Sequence, residues 1–408
     1  MELTKKQALF LIILCTLSNK VQRLPSLLAT NLGRHGWLVF LIMGGIDLLF
    51  LIIALWFNYL AKNKTTYEIC KNAGGNFFAK AIFVLFAIYF FVVSLLPFEA
   101  VHDLFANILF DHLSWSVYSL ILVATVLFLA SRGLRNIGRT SEIFFYIIVL
   151  SFIVLIGLGT NTTNLNRILP FADVNLSLTL KSCFDYNLWF GDFLVIYIFV
   201  GKIKNCDKKF NILVIISFAV YVLVVSFTYM VFYGLYEHLS PDRNSLISSI
   251  SQFALLDLDI GRVDWFLVLF FQIDTIIASA FYLYASGYAI AKVFNIKKYI
   301  YVLVPLVGAL YFVDIFLFSS IQVVAKNIAL VTRFLGLFMI FILPFILLIV
   351  CFVSKKKEKL HLKKYNLEKY SFLVSKRQFE EASAKVQGSV ARTLVKKDNK
   401  KRKAKVEK

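Results

Sequence analysis

Long apolar runs recur along nearly the whole chain of 408 residues, and they constrain its fold more than any other feature. A helix needs about 17 to 25 predominantly apolar residues to cross a membrane. Eight runs reach that length, at 37–60, 81–108, 114–130, 142–159, 210–234, 264–291, 299–318 and 334–353. Two interrupted runs, at 8–32 and 179–200, make ten. The sequence therefore predicts an all-α integral membrane protein with ten transmembrane helices.

The first apolar run is interrupted by polar residues at mid-membrane depth. Residues 8–17 and 26–32 each resemble half a helix, and residues 19–25 between them carry Lys20 and Arg23. Lys or Arg at a helix centre costs about 2.5 to 3.5 kcal/mol on insertion scales. Broken backbone is tolerated there only against protein or a water-filled cavity. The interruption therefore predicts a transporter-type binding site.

The sixth apolar run contains a second interruption. Asp185, Asn187, Gly191 and Asp192 disturb its pattern before Phe193 resumes it. Breaks five spans apart are what two inverted five-helix repeats would produce. We therefore expect two inverted five-helix repeats with broken helices 1 and 6.

The two breaks supply the candidate ligand-binding residues, because freed amides and the start of a half-helix can donate hydrogen bonds to a carboxylate. The candidates are Asn19, Lys20, Gln22, Arg23, Leu24, Asn187, Trp189, Gly191 and Asp192. Ionisable residues inside a membrane are functional candidates by default. Pro25, Asp47, Glu99 and Asp274 are candidates for a role in shaping the helix break or in ion coupling.

The distribution of Lys and Arg predicts the orientation. With the N-terminus inside, the inner loops hold sixteen basic residues and the outer loops seven, although the outer loops are longer in total. Cytoplasmic loops carry the excess of Lys and Arg. We therefore expect both termini in the cytoplasm.

A basic tail follows the last apolar run, and the predicted domains are 1–353, which spans the membrane, and 354–408, which is disordered. From Lys355 onward the tail has nineteen basic and six acidic residues, which gives +13 of the net charge of +20. A juxtamembrane basic segment is attracted to the anionic inner leaflet. Lipid is therefore the expected partner of the tail, in preference to nucleic acid.

The sequence shows no enzymatic constellation. It has no zinc-type HExxH, no phosphate-binding glycine loop and no nucleophile elbow. We expect no catalytic residues, no metal and no cofactor.

Three stretches resemble one known family. LPSLLATNLGRHGWL (24–38), SRGLRNIGRTSEIF (131–144), with Arg139 and Glu142, and NLNRILPF (164–171) are similar to elements of the GerAB-like endospore germination permeases. These are the B subunits of nutrient germinant receptors and a branch of the amino acid/polyamine/organocation transporter superfamily. The resemblance implies a LeuT-like arrangement, a ligand pocket between spans one, three, six and eight, and partner subunits of the A and C types.

The chain departs from that family at its first break. It has Lys20, Gln22 and Arg23 where the family usually has small residues, and His35 where it usually has Asp. The cations line a ligand site, pair internally with Asp47, Asp192 or Asp274, or lie near a membrane interface if the helix boundary falls elsewhere. In transporters of this architecture a cation site lies between spans one and eight, so a pair of Lys20 or Arg23 with Asp274 would argue against sodium coupling.

Two functions from different classes follow. The first is a membrane subunit of a germinant receptor, in the spore inner membrane, that binds an amino acid-like germinant. The second is a free-standing secondary transporter of amino acids or polyamines. A channel-like or scaffolding component is a third.

Near the outer mouth, His102 beside Glu99 and Asp103 either carries protons or belongs to a hydrated outer face.

Overall fold

A computed structural model describes residues 3–61, 64–104, 114–163, 174–203, 207–243, 245–255, 264–319 and 332–360. Within these ranges the chain is helical apart from short connections and one isolated bridge between Leu3 and Ile203. The helices are α1 Lys5–Val21, α2 Leu24–Leu32, α3 Gly36–Ala61, α4 Thr66–Leu104, α5 Trp115–Ser131, α6 Leu134–Thr162, α7 Leu176–Asp185, α8 Leu194–Phe199, α9 Lys208–Tyr236, α10 Leu246–Leu255, α11 Asp264–Phe294, α12 Ile300–Ser319 and α13 Thr332–Leu360.

Six helical segments among the described residues are long and apolar enough to cross a membrane. They are Leu24–Ala61, Thr66–Phe98, Leu134–Thr160, Lys208–Asp242, Phe266–Phe294 and Thr332–Leu360. Two shorter apolar helices are Trp115–Ser131 and Ile300–Phe316. A bundle of such helices is a multi-pass membrane protein, as the apolar runs predict.

The first predicted interruption is present. Helix α1 ends at Val21 and α2 begins at Leu24, so the break lies at Gln22 and Arg23. Pro25 stands in the first turn of α2, where its missing N–H leaves no intrahelical bond unmade. The carbonyl of Gln22 accepts a hydrogen bond from the amide of Leu246 in α10 at 3.1 Å. Protein, rather than lipid, therefore satisfies the broken backbone.

The second predicted interruption is longer. Helix α7 ends at Asp185, a 3₁₀ turn covers Asn187–Trp189, and α8 begins only at Leu194. Phe190 between them is extended, and Gly191 has a φ of +93°. The α-helix is therefore interrupted over residues 186–193, beside the first break.

Local sequence signals set several of the other helix ends. Thr4 and Gln7 form a capping box at the start of α1, and Asp207 caps α9 through the amide of Phe210 at 3.1 Å. Gly75 has a φ of +85° and divides α4 into a short first piece and a long second one.

Helix α11 occupies the middle of the bundle and packs along α4. Four small residues of α11, Ala278, Ser279, Ala285 and Ser286, are fully buried. Small residues let helix backbones approach each other in membranes, where the hydrophobic effect does not drive association. Helix α13 contains a π-helical stretch at Phe338–Ile342, next to the second break.

By their internal contacts the residues fall into two units, Met1–Cys351 and Phe352–Lys408. The second unit is described only over residues 352–360, which continue α13. The predicted disordered tail otherwise lies outside the described residues. Both helix breaks belong to the first unit.

Candidate functional site between the two helix breaks

Lys20 is the centre of a buried ion cluster between the two helix breaks. Its Nζ contacts a carboxylate oxygen of Asp192 and lies 3.6 Å from one of Asp47. The side chains of Lys20, Asp47 and Asp192 are only 1%, 0% and 3% exposed. One ammonium group therefore faces two carboxylates in the interior of the bundle.

The backbone of the second break holds Asp47. The amide of Gly191 donates to both carboxylate oxygens of Asp47, at 2.9 and 3.1 Å. A Cβ at Gly191 would lie 2.7 Å from the Oη of Tyr89 and 2.8 Å from the side chain of Ile340. The positive φ and the close neighbours both require glycine here. Gly191 therefore contributes its backbone to the site.

Aromatic side chains enclose the cluster. The Nζ of Lys20 lies 5.0 Å from the centre of the Phe190 ring, within the range of a cation–π contact. The hydroxyl of Tyr89 donates to the carbonyl of Phe190 at 3.0 Å. The hydroxyl of Tyr282 lies 3.4 Å from Asp192 and also donates to the carbonyl of Cys15 at 3.0 Å. The ions are thus shielded on the side of α4 and α11.

Three tyrosines of α9 satisfy backbone carbonyls around the first break. Tyr221 donates to the carbonyl of Thr16 at 2.8 Å, Tyr229 to that of Lys20 at 2.5 Å, and Tyr233 to that of Pro25 at 2.8 Å. A helix end in the membrane leaves carbonyls that need such donors. None of the three tyrosines was predicted from the sequence, although spacings of eight and four place them on one face of a helix.

The structure thus brings together Lys20 of α1, Asp47 of α3, and Gly191 and Asp192 of the second break. Leu24 and Pro25 are buried at the start of α2. Gln22 is buried and its Nε2 donates to the hydroxyl of Thr275 in α11 at 2.9 Å. Arg23 is half-buried at the turn.

Asn187 and Trp189 lie in the buried 3₁₀ turn of the second break. The amide nitrogen of Asn187 donates to the carbonyls of Phe184 at 2.7 Å and of Arg333 at 3.1 Å. The guanidinium of Arg333 pairs with Asp185 at 3.1 Å. Asn187 therefore connects the second break to the start of α13, and its hydrogen bonds within the described residues do not reach the ion cluster.

The hypothesis that Asp274 pairs with Lys20 or Arg23 is wrong. Asp274 is fully buried, and neither of its carboxylate oxygens has a hydrogen-bond partner among the described residues. Lys20, at the end of α1, instead pairs with Asp192 and Asp47. A charged carboxylate without a partner is very costly in a buried position.

Some predicted residues lie outside what the structure describes. Asn19 belongs to α1 and Glu99 to α4, but their side chains are not described. The same applies to His102 and Asp103. Their predicted roles stay predictions.

A second buried lysine follows α8, outside the membrane-spanning helices. The Nζ of Lys202 lies 3.3 Å from the centre of the Tyr288 ring and has no hydrogen-bond partner within the described ranges. Burial, and then the positive charge of Lys292, lower the pKa of Lys202 to about 7. The carbonyl of Lys202 accepts a hydrogen bond from the amide of Leu3 at 2.8 Å. This loop is thus joined to the N-terminus of the chain.

A multi-pass helical protein whose two interrupted helices meet at a buried ion cluster is a permease-type membrane protein. The family model of spore germination proteins matches residues 2–323. The chain belongs to this family, and the resemblance inferred from residues 24–38, 131–144 and 164–171 is confirmed. No curated protein matches the chain. Helix α13 follows the matched residues.

Proposed function

We propose that the protein is the membrane subunit of a spore nutrient-germinant receptor. It binds a small amino acid-like germinant between the two breaks and passes the signal to partner subunits of the A and C types. Membership of the spore germination protein family supports the role in germination. The buried cluster of Lys20, Asp47 and Asp192 supports a small, charged ligand.

The single observation that carries the proposal is the imbalance of charge in this cluster. Two carboxylates share one ammonium group, and all three are withdrawn from solvent. Buried charges need partners, and a second ammonium would balance the cluster. The amino group of an amino acid supplies it by pairing with Asp192 or Asp47. A ligand without a positive group gains nothing from these carboxylates.

The carboxylate of the same ligand has a complementary partner at the start of α2. The residue before this helix, Arg23, makes no side-chain hydrogen bond to cap it within the described chain. The first amides of a helix carry partial positive charge and bind anions. A zwitterion placed between the breaks therefore finds the carboxylates at one end and the helix amides at the other.

The proposal includes a fold of ten spans in two inverted repeats. Helices α1 and α2 form the first span, and α7 and α8 form the sixth, so the two broken spans occupy equivalent positions of the two repeats. The excess of basic residues in alternate loops supports an orientation with both termini in the cytoplasm. The receptor resides in the spore inner membrane, has no catalytic step and needs no cofactor.

The alternative is a secondary transporter for amino acids or polyamines. The net negative cluster favours ligands with amino groups in either case, so binding alone does not separate the two functions. Transport does. A transporter accumulates the ligand in sealed vesicles, whereas a receptor subunit binds it without accumulation.

The test starts with binding to the purified full chain. Its melting temperature is measured with a panel of amino acids, polyamines and amine-free organic acids. We expect an amino acid to raise the melting temperature of the wild type, and Asp192→Asn to abolish the increase. Asp314→Asn is the matched control, because Asp314 is also buried but bonds Ser119 on other helices.

An equal response of Asp192→Asn and the wild type would contradict the proposed site. Uptake of the labelled ligand into proteoliposomes then decides between receptor and transporter. Spores without the gene should lose their response to that ligand alone. Accumulation in proteoliposomes together with an unchanged germination response would establish the transporter instead.

A further inference from the structure

An apolar groove lies between α4, α11 and α12. It has a volume of about 380 Å³ and is lined by Val84, Ile88 and Phe91 of α4, Ile290 and Phe294 of α11, and Leu306 of α12. The hydroxyl of Ser286, which also borders the groove, donates to the carbonyl of Ala87 at 2.8 Å. Its hydrogen-bonding capacity is therefore used, and the surface that faces the groove is apolar throughout the described residues.

The groove is open at the side of the bundle. Val84, Ile88 and Phe294 are 41%, 48% and 70% exposed. They belong to helices that are apolar enough to span a membrane. A concave apolar surface on the outside of such helices faces the acyl chains of lipids, because no water is present at that depth.

Basic residues lie at one end of the groove. Lys80 stands one turn before Val84 on the same face of α4. Lys297 and Lys298 are exposed in the turn that joins α11 to α12, just beyond Phe294. None of the three lysines has a carboxylate partner in the part of the chain that the structure describes. Their charges are therefore available to an anion from outside the protein.

The length of this feature fits one leaflet. Lys80 and Phe91 are eleven residues apart on α4, which corresponds to about 16 Å along the helix. Half of the hydrocarbon core of a bilayer is about 15 Å. An acyl chain that follows α4 along the groove thus places its headgroup beside the lysines.

We propose that this groove binds one anionic phospholipid of the cytoplasmic leaflet, with an acyl chain between α4, α11 and α12 and its phosphate between Lys80 and the turn at Lys297 and Lys298. Basic pockets between transmembrane helices on the cytoplasmic side bind anionic headgroups in this manner. The excess of basic residues in the predicted inner loops places these lysines on that side.

The lipid stabilises the two helices that enclose the ion cluster. Tyr89 on α4 bonds the carbonyl of Phe190, and Tyr282 on α11 lies against Asp192. An occupant of the groove contacts the outer sides of these same helices. Anionic lipid therefore supports the positions of both tyrosines, whichever ligand the cluster receives.

The experiment uses the full chain, purified and delipidated in a neutral detergent. Its melting temperature is titrated with phosphatidylglycerol, with phosphatidylcholine of identical acyl chains, and with inorganic phosphate alone. We expect phosphatidylglycerol to give the largest increase. The double variant Lys80→Gln/Lys298→Gln should weaken apparent binding of phosphatidylglycerol about tenfold or more, since each lysine near an anionic headgroup contributes appreciably. Val84→Trp, which fills the groove, should abolish the increase.

Two control variants keep the outcome decisive. Lys208→Gln/Lys209→Gln removes two exposed cytoplasmic lysines away from the groove, and Val220→Trp enlarges an exposed apolar residue of α9. Both should respond to phosphatidylglycerol like the wild type. Val84→Trp must keep the melting temperature of the lipid-free wild type, which shows that it folds; if it does not, Ile88→Trp replaces it.

Three outcomes would overturn the proposal. The first is an equal response to phosphatidylcholine and phosphatidylglycerol, and the second is an unchanged response in the groove and lysine variants, which would assign lipid binding to the basic tail. The third is a full response to inorganic phosphate, which would assign the lysines to a free anion.

Discussion

Lys20 of α1 contacts Asp192, which stands just before α8, so an ion pair joins the two interrupted helices at the points where each of them breaks. Asp47 of α3 extends the pair to a cluster, and it receives the amide of Gly191 from the second break. The ion pair therefore stabilises the two breaks, and the amide of Gly191, which the second break frees, stabilises the carboxylate of Asp47.

Removal of the ammonium group should be strongly destabilising. Lys20→Met leaves Asp47 and Asp192 buried without their cation, and loss of one partner of a buried ion pair typically costs about 3 to 5 kcal/mol. The triple variant Lys20→Met/Asp47→Asn/Asp192→Asn should recover much of this loss, because no charge remains. Melting temperature and yield of the purified protein measure both effects. Lys5→Met, which breaks an exposed pair with Asp207, should change little.

Asp274→Asn should be tolerated, in contrast to the loss of a member of the cluster. The oxygens of Asp274 have no partner among the described residues, so the amide loses no hydrogen bond that the carboxyl group makes. We expect the melting temperature to be unchanged or higher. A decrease in melting temperature as large as that of Lys20→Met would show that Asp274 carries a charge with a partner.

Loss of a tyrosine hydroxyl at the first break should be measurable. Tyr229→Phe leaves the carbonyl of Lys20 without this donor, and an unsatisfied buried group costs about 1 to 3 kcal/mol. Tyr301→Phe is the control, because Tyr301 is 68% exposed. If both variants have the same unfolding midpoint in denaturant, the hydroxyl of Tyr229 makes no net contribution.

The contact between α13 and the second break should depend on Gly336. A Cβ at this position would overlap the Oδ1 of Asn187 and lie 3.2 Å from the backbone of Leu188, so Gly336→Ala should lower the melting temperature. Gly308→Ala in α12 meets open space and should raise it slightly, because alanine favours the helix by about 0.5 to 1 kcal/mol. Equal shifts of the two variants would contradict this packing.

The titration of Lys202 should make stability depend on pH. Its pKa is lowered to about 7 in the folded protein, whereas lysine in an unfolded chain titrates at about 10.4. Between these values the unfolded state binds more protons, so stability rises as the pH increases from about 7 to about 10.4. Lys202→Met should reduce this slope in melting temperatures recorded across that range. The exposed Lys297→Met should preserve it, and an unchanged slope in Lys202→Met would assign the effect to other groups.

The sequence alone determined the class of the protein and the position of both breaks. An apolar run long enough to cross a membrane has few alternative structures, and ionic residues within it must be turned towards protein. For this reason Lys20, Asp47, Gly191 and Asp192 could be named as candidates from the chain alone. The resemblance of residues 24–38 and 131–144 to germination permeases could be seen in the same way.

Only the tertiary structure decided which of these residues meet. Asp47, Asp192 and Asp274 are equivalent partners for Lys20 as far as charge is concerned, and the sequence does not contain the distances between their helices. The packing of α1 against the second break selects Asp192 and Asp47, and it leaves Asp274 without a partner in the described chain. The tyrosines of α9 were missed for the same reason, since a hydroxyl reveals its role only when a carbonyl of another helix lies within hydrogen-bonding distance.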